Sequence, residues 1–134
     1  EDVRYQRNRI RHRIIPELKA INPIVSDAIV RLGASVREDI SLISNLTDMA
    51  FDELVTISDE GAFISRRGLR KKPLAIQRRL WQRLVSIFDP EIKLTTAHQE
   101  QLLDIVNTGE GKTFNIKSIK VSAQCDTIKV YCKH

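Results

Sequence analysis

The chain has 134 residues, of which 42% are hydrophobic and 29% charged, with a formal net charge of +5. That length supports one core with a small appended unit and excludes two large domains. No stretch approaches the roughly 20 uninterrupted apolar residues of a membrane span, so a soluble, cytoplasmic protein with no membrane partner is expected.

The opening Glu1-Asp2-Val3 has neither an initiator Met nor a basic-then-apolar leader, and the expectation is a piece of a longer protein. Over residues 3–20, Val3, Ile10, Ile14 and Leu18 recur at helical spacing. Arg4, Arg7 and Arg11 follow at i, i+3 and i+7 on another face, which predicts an amphipathic helix with a basic stripe. Pro16 lacks an amide donor and disfavours a helical residue before it, so a kink or break is expected near Ile15. Asn22-Pro23 then punctuates the chain.

From Val25 an apolar series runs through Ile29, Leu32, Val36, Ile40, Ile43, Leu46, Ala50 and Leu54 to Ile57 in steps of three or four. This predicts one long helix whose stripe is core and whose polar side is acidic, carrying Glu38, Asp39, Asp48, Asp52 and Glu53. Residues 61–65 read as an extended piece, followed by a turn-prone basic run, Arg66-Arg67-Gly68-Leu69-Arg70-Lys71-Lys72. Pro73 opens the next helix, which gathers Leu74, Trp81, Leu84, Val85 and Phe88 on one face and leaves Arg78, Arg79 and Arg83 largely on another. Thr96 and Gln99 fit a capping box that starts a further helix, closed by Gly109. The tail, Thr113 to Val121 and Thr127 to Lys133, alternates and is rich in Ile, Val and Thr, so a hairpin is expected, joined to the 61–65 piece. The fold class is therefore mainly α: a helical bundle with a long acidic helix and a small C-terminal β-hairpin or short sheet.

Charge is distributed unevenly along these elements. Residues 1–20 hold six Lys/Arg against three Asp/Glu, and residues 22–60 hold two against eight. Residues 61–88 then carry eight cations and no acid: Arg66, Arg67, Arg70, Lys71, Lys72, Arg78, Arg79 and Arg83. A phosphate backbone is the polyanion that rewards such an acid-free island, through counterion release. The bland alternative is a set of solvated helix faces balanced by the acidic middle segment.

No catalytic constellation is legible. Gly111-Lys112-Thr113 resembles the end of a phosphate-binding loop, but the earlier Gly of that motif is replaced by Val106, and a helix precedes where a strand should. There is no Ser/His/Asp triad, HExxH or dinucleotide turn, and His98 lacks companions. Cys125 and Cys132 match no metal-ligand spacing and read as reduced thiols, so no metal site is expected. Asn45-Leu46-Thr47 fits the glycosylation pattern but lies inside the apolar helical repeat, and is discounted.

The stretch Tyr5-Gln6-Arg7-Asn8-Arg9-Ile10-Arg11-His12, continuing through Pro16-Glu17-Leu18 to Asn22-Pro23, resembles the segment that follows the ATP-pyrophosphatase domain of the bacterial tRNA(Ile)-lysidine synthetases. The downstream order is similar: a long acidic helix, a helix like Pro73-Leu74-Ala75-Ile76-Gln77-Arg78-Arg79, a His-bearing helix, a Gly-Lys turn and a terminal hairpin. The chain departs from that pattern at Ile116-Lys117-Ser118-Ile119, where the family often has Leu-Pro-x-Gly.

The resemblance implies an ATP-dependent ligase that adenylates the wobble cytidine of a tRNA(Ile) with a CAU anticodon, after which lysine displaces AMP. It implies that ATP and Mg2+ are held by a separate N-terminal ATP-pyrophosphatase domain, whose Ser-Gly-Gly-x-Asp-Ser loop this chain does not contain. Residues 1–21 would be a linker helix from that domain and residues 22–134 the tRNA-recognition domain. Arg7, Asn8 and Arg11 would sit beside the catalytic cleft. The expected tRNA contacts are Arg4, Arg7, Asn8, Arg11 and the eight cations from Arg66 to Arg83, with no catalytic residue in this segment. The alternatives are a non-catalytic helical packing or protein-interaction module, whose cations would pair with its own acidic helix, and a duplex-DNA reader, for which no recognition helix is evident.

Overall fold

The computed structural model describes residues 3–132. It is mainly α, with one long helix and a five-stranded antiparallel sheet toward the C-terminus. By compactness the chain forms two units, residues 1–42 and 43–134, with the division falling inside the long helix.

In the first unit, α1 (Val3–Arg9) leads into a single π-helical stretch, Ile10–Ile14, and then α2 (Ile15–Ile21). Near Ile15, where a kink or break is expected, the helical run passes through this widened turn. Ile15 donates its backbone N–H to Ile10 O, five residues back, and Pro16 then occupies the first turn of α2, where its missing donor costs least. Asn22 ends α2 in an extended conformation and accepts from the Ile24 N–H at 3.2 Å, turning the chain into α3 (Val25–Leu54).

The apolar stripe of α3 is core only in its second half. Thr47, Ala50, Phe51 and Leu54 are buried, whereas Ile29, Leu32, Val36 and Ile40 are 44–64% exposed. Among the described residues the helical first unit has no second layer to cover them, and a single layer cannot bury a stripe. The helix also stops earlier than its periodicity suggests. Val55-Thr56-Ile57-Ser58 is strand β1, not a last helical turn, because three consecutive β-branched residues, Val55, Thr56 and Ile57, fit a pleated edge better than a helix.

Strand β2 (Gly61–Ser65) folds back on β1 and pairs on its other side with β5 (Thr127–Cys132). The tail holds three strands rather than two: β3 (Thr113–Ile116), β4 (Ile119–Gln124) and β5, in the sheet order β1-β2-β5-β4-β3. Two-residue loops join them, Lys117-Ser118 and Cys125-Asp126. The first residue of each takes a left-handed φ, 49° at Lys117 and 51° at Cys125, as hairpin turns of the primed types require. Lys133, expected as the last strand residue, lies outside the described residues, as does the side chain of Val3.

One face of the sheet is sealed. Ala62, Ile64, Ile119, Val121, Ala123, Ile128 and Val130 are all at most 1% exposed. They join Leu69 of α4 (Arg66–Arg70), Leu80, Trp81, Leu84 and Val85 of α5 (Leu74–Phe88), and Leu102, Ile105 and Val106 of α6 (Thr96–Thr108) in one apolar cluster. The basic run 66–70 is thus a short helix, capped by Ser65, whose Oγ accepts from the Gly68 N–H at 3.2 Å. The capping box of α6 starts one residue before the position expected. Thr95 Oγ1 accepts from the His98 N–H and His98 Nδ1 accepts from the Thr95 N–H, both at 3.3 Å, so His98 is a capping residue.

This packing can be tested at two positions. At Gly61, φ is +126° and an added Cβ would lie 2.3 Å from Val130 O, so Gly61→Ala should cost at least about 1–3 kcal/mol through backbone strain alone, read by chemical denaturation. At the end of α6, the Asp104 carboxylate accepts from Lys112 Nζ and from Thr108 Oγ1, and these hydrogen bonds, Lys112 first, hold it below its ordinary 3.8. Its stabilising contribution is therefore present above that value and is lost as pH falls through the lower folded-state value. In an NMR titration the Asp104 carboxyl should change charge below 3.8, and Lys112→Ala should bring the midpoint back up.

Candidate nucleic-acid interface

Arg7, Asn8 and Arg11 are solvent-exposed, as is Arg4. Arg4, Arg7 and Asn8 lie on α1, and Arg11 lies in the π-helical stretch. The phase that aligns Arg11 with Arg4 and Arg7 in an unbroken α-helix does not carry through that widened turn. In the same unit, Asn8 shares a depression of about 200 Å³ with Tyr5, Arg9, His12 and Arg13, four residues that i, i+3 spacing of arginines could not single out.

In the second unit the eight cations separate into three groups. Lys72 and Arg83 are turned toward the acidic helix: Lys72 Nζ pairs with Glu53, and Arg83 pairs with Asp48 while its guanidinium lies 4.2 Å from the centre of the Phe51 ring. Arg78 and Arg79 stay on α5 without a carboxylate partner among the described residues, and Gln99 of α6 donates to the backbone oxygen of Arg78 at 3.5 Å. Arg78, Arg79 and Arg83 share the side of α5 that faces away from the core. Arg78 and Arg83 lie at the two edges of that side, 140° apart at 100° per residue, with Arg79 nearer Arg83.

The third group is the one that converges. Arg66, Arg67 and Arg70, together with Val106 and Asp126, line a depression of about 260 Å³. The geometry is imposed by the β4–β5 turn, which delivers Asp126 to the start of α4. Asp126 O accepts from the Arg66 N–H and Asp126 Oδ1 from the Arg67 N–H, both at 2.7 Å, and Oδ2 accepts from Ser65 Oγ at 3.5 Å. The one carboxylate in the depression is thus occupied by backbone and hydroxyl donors, and the three guanidinium groups have no ion partner among the described residues. Leu69, fully buried, anchors the underside of the same short helix. Gly68 allows the close approach, since a Cβ there would meet Leu54 Cδ2 at 2.4 Å. Guanidinium groups so arranged are suited to phosphate oxygens, which accept from their planar fork. Lys71 is exposed beside them.

The role of Asp126 was beyond sequence reasoning, because it and Arg67 are 59 positions apart and nothing in either neighbourhood points to the other. Among the described residues no group of three or more His, Cys, Asp or Glu could hold a metal ion, and Cys125 and Cys132 are free thiols. No helix among them is long and apolar enough to cross a membrane.

No protein-family model matches the chain. Among curated proteins it is similar to a tRNA(Ile)-lysidine synthase of Geobacter sulfurreducens, 32% identical over 87 residues, covering 64% of this chain and 18% of that protein. The tRNA(Ile)-lysidine synthase of Streptococcus gordonii is 30% identical over 105 residues, 78% of this chain and 22% of the relative. That of Thermotoga sp. is 61% identical over 31 residues, 23% of this chain and 8% of the relative. The chain spans about a fifth of the length of the first two relatives. With further relatives of the same name matching 81–82% of its length, the chain belongs to the tRNA(Ile)-lysidine synthase family and corresponds to a segment of those longer proteins.

Proposed function

We propose that this segment grips tRNA(Ile) for an ATP-dependent lysidine synthase. Residues 1–21 would be the helix leading from an ATP-pyrophosphatase domain and residues 22–134 the part that holds the RNA. In the whole enzyme, ATP and Mg2+ would be bound by that other domain, the wobble cytidine would be adenylated there, and lysine would displace AMP in the cytoplasm. The segment supplies position rather than chemistry, since holding the anticodon in reach converts a bimolecular encounter into an effectively intramolecular one.

The observation that carries this reading is the depression formed by Arg66, Arg67 and Arg70, in which three cations converge and the only carboxylate is already engaged. Folded RNA is held largely through its backbone, and each phosphate neutralised releases counterions. Binding of tRNA(Ile) should therefore weaken as salt rises. Replacing Arg66, Arg67 and Arg70 with Ala should weaken it further and flatten the dependence of log K on log salt by about 0.7–0.9 for every phosphate that is no longer neutralised. Filter binding across a salt series reads both; an unchanged slope in the triple variant would remove the support for this reading. Arg78→Ala and Arg79→Ala should act in the same direction.

The rival reading, a packing module, draws support from Lys72 and Arg83, which do pair with the acidic helix. The two kinds of cation can be told apart. Arg83→Ala removes an ion pair and a stacking interaction with Phe51, so it should lower stability by about 1 kcal/mol while altering RNA affinity little. Arg67→Ala should do the reverse, and parallel thermal melts and binding curves on the two variants make the comparison.

A further inference from the structure

The sheet has a second face, and its composition is unusual for a solvated one. Strand alternation sends Phe63 of β2, Lys129 and Tyr131 of β5, and Lys120 and Ser122 of β4 away from the sealed side. The register sets Phe63 opposite Lys129, Lys129 opposite Ser122, and Tyr131 opposite Lys120. Lys129 Nζ lies 5.2 Å from the centre of the Phe63 ring and 5.5 Å from that of Tyr131, so a cation stands between two aromatic rings. Around it is a depression of about 440 Å³, lined by Phe63, Ser122, Gln124, Thr127, Lys129 and Tyr131.

That volume falls in the range of small-molecule clefts, and its lining has three kinds of group. The rings offer flat π surfaces. Gln124, Ser122 and Thr127 offer amide and hydroxyl donors and acceptors. Lys129 and Lys120 offer positive charge, and none of the outward positions of β2, β4 and β5 is a carboxylate. Glu60 reaches Lys129 Nζ at 3.1 Å from the β1–β2 turn, but its side chain is 76% exposed and an anion can displace it at little cost.

We infer that the open face of the sheet, centred on Phe63, Lys129 and Tyr131, is a stacking surface for unpaired nucleotides of an RNA strand. A base lies on an aromatic ring, its edge meets the Gln124 amide or the hydroxyls, and the adjoining phosphate meets Lys129 or Lys120. A paired base, held inside a duplex, has no free face to offer, so the surface selects loops and single strands over helices. This inference rests on the RNA-binding reading above. It differs in its physical basis, because stacking releases few counterions whereas the α4 arginines act through phosphate neutralisation.

The test uses the full 134-residue chain and fluorescence anisotropy with two labelled RNAs across one salt series: a ten-nucleotide uridine-rich single strand and a duplex of the same length. Phe63→Ala and Tyr131→Ala should each weaken single-strand binding about tenfold. Each should leave duplex binding and the salt slope as in the parent, while Phe63→Tyr keeps the parent affinity. Phe63→Leu preserves apolar bulk without the π face and should lose affinity as the Ala variant does, so a folding defect in Phe63→Ala does not decide the outcome. Emission from the fully buried Trp81 reports the fold of every variant. If the Phe63 and Tyr131 variants bind the single strand like the parent while Arg66/Arg67/Arg70→Ala weakens both RNAs, the stacking surface is refuted and the phosphate grip stands. A parent chain that binds neither RNA overturns both.

Discussion

The pairing of β2 with β5 joins the middle of the chain to its end, and most of what the second unit presents to solvent depends on it. Ser65 and Asp126, 61 positions apart, meet at one edge of that pairing, where the turn after β4 caps the start of α4. A non-local interaction of this kind must overcome loop-closure entropy before it stabilises anything. What offsets that entropy is burial: Ala62, Ile64, Ile128 and Val130 face α4, α5 and α6 and are almost wholly removed from water. The same pairing sets Phe63 against Lys129 on the opposite face.

Charge in this unit is divided by what lies beneath it. Cations next to the acidic end of α3 turn inward to Glu53 and Asp48, and there they act as structural groups. Exposed pairs of this sort contribute little individually, and the stacking of Arg83 on Phe51 adds an apolar component. Cations on α4 have no acidic neighbour to satisfy them among the described residues, because Asp126 is committed to the backbone of the very helix that carries them. An island that looks uniform along the sequence is thus part scaffold and part surface.

The first unit shows the opposite balance. Its helices bury almost nothing, and the apolar stripe of α3 between Ile29 and Ile40 remains about half exposed. The π-helical stretch accommodates Pro16 without ending the helical run, and in doing so it disrupts the clean arginine stripe that an unbroken helix would present. Local chemistry explains both features, since proline removes a donor and one helical layer gives no shelter.

Sequence periodicity alone determined the mainly α class, the long helix from Val25, the helices beginning near Pro73 and Thr96, and a strand-rich tail, because these depend on spacing over a few residues. The run from Tyr5 to Pro23 was enough to suggest the family, since it packs several specific residues into a short span. Tertiary structure decided the rest. It ended α3 at Leu54 and turned Val55-Thr56-Ile57 into a strand because β2 was there to pair with it. It split the eight cations between ion pairs and open surface, and put Phe63 beside Tyr131 and Lys129. The last two depend on which distant residue lies opposite, and no local pattern carries that information.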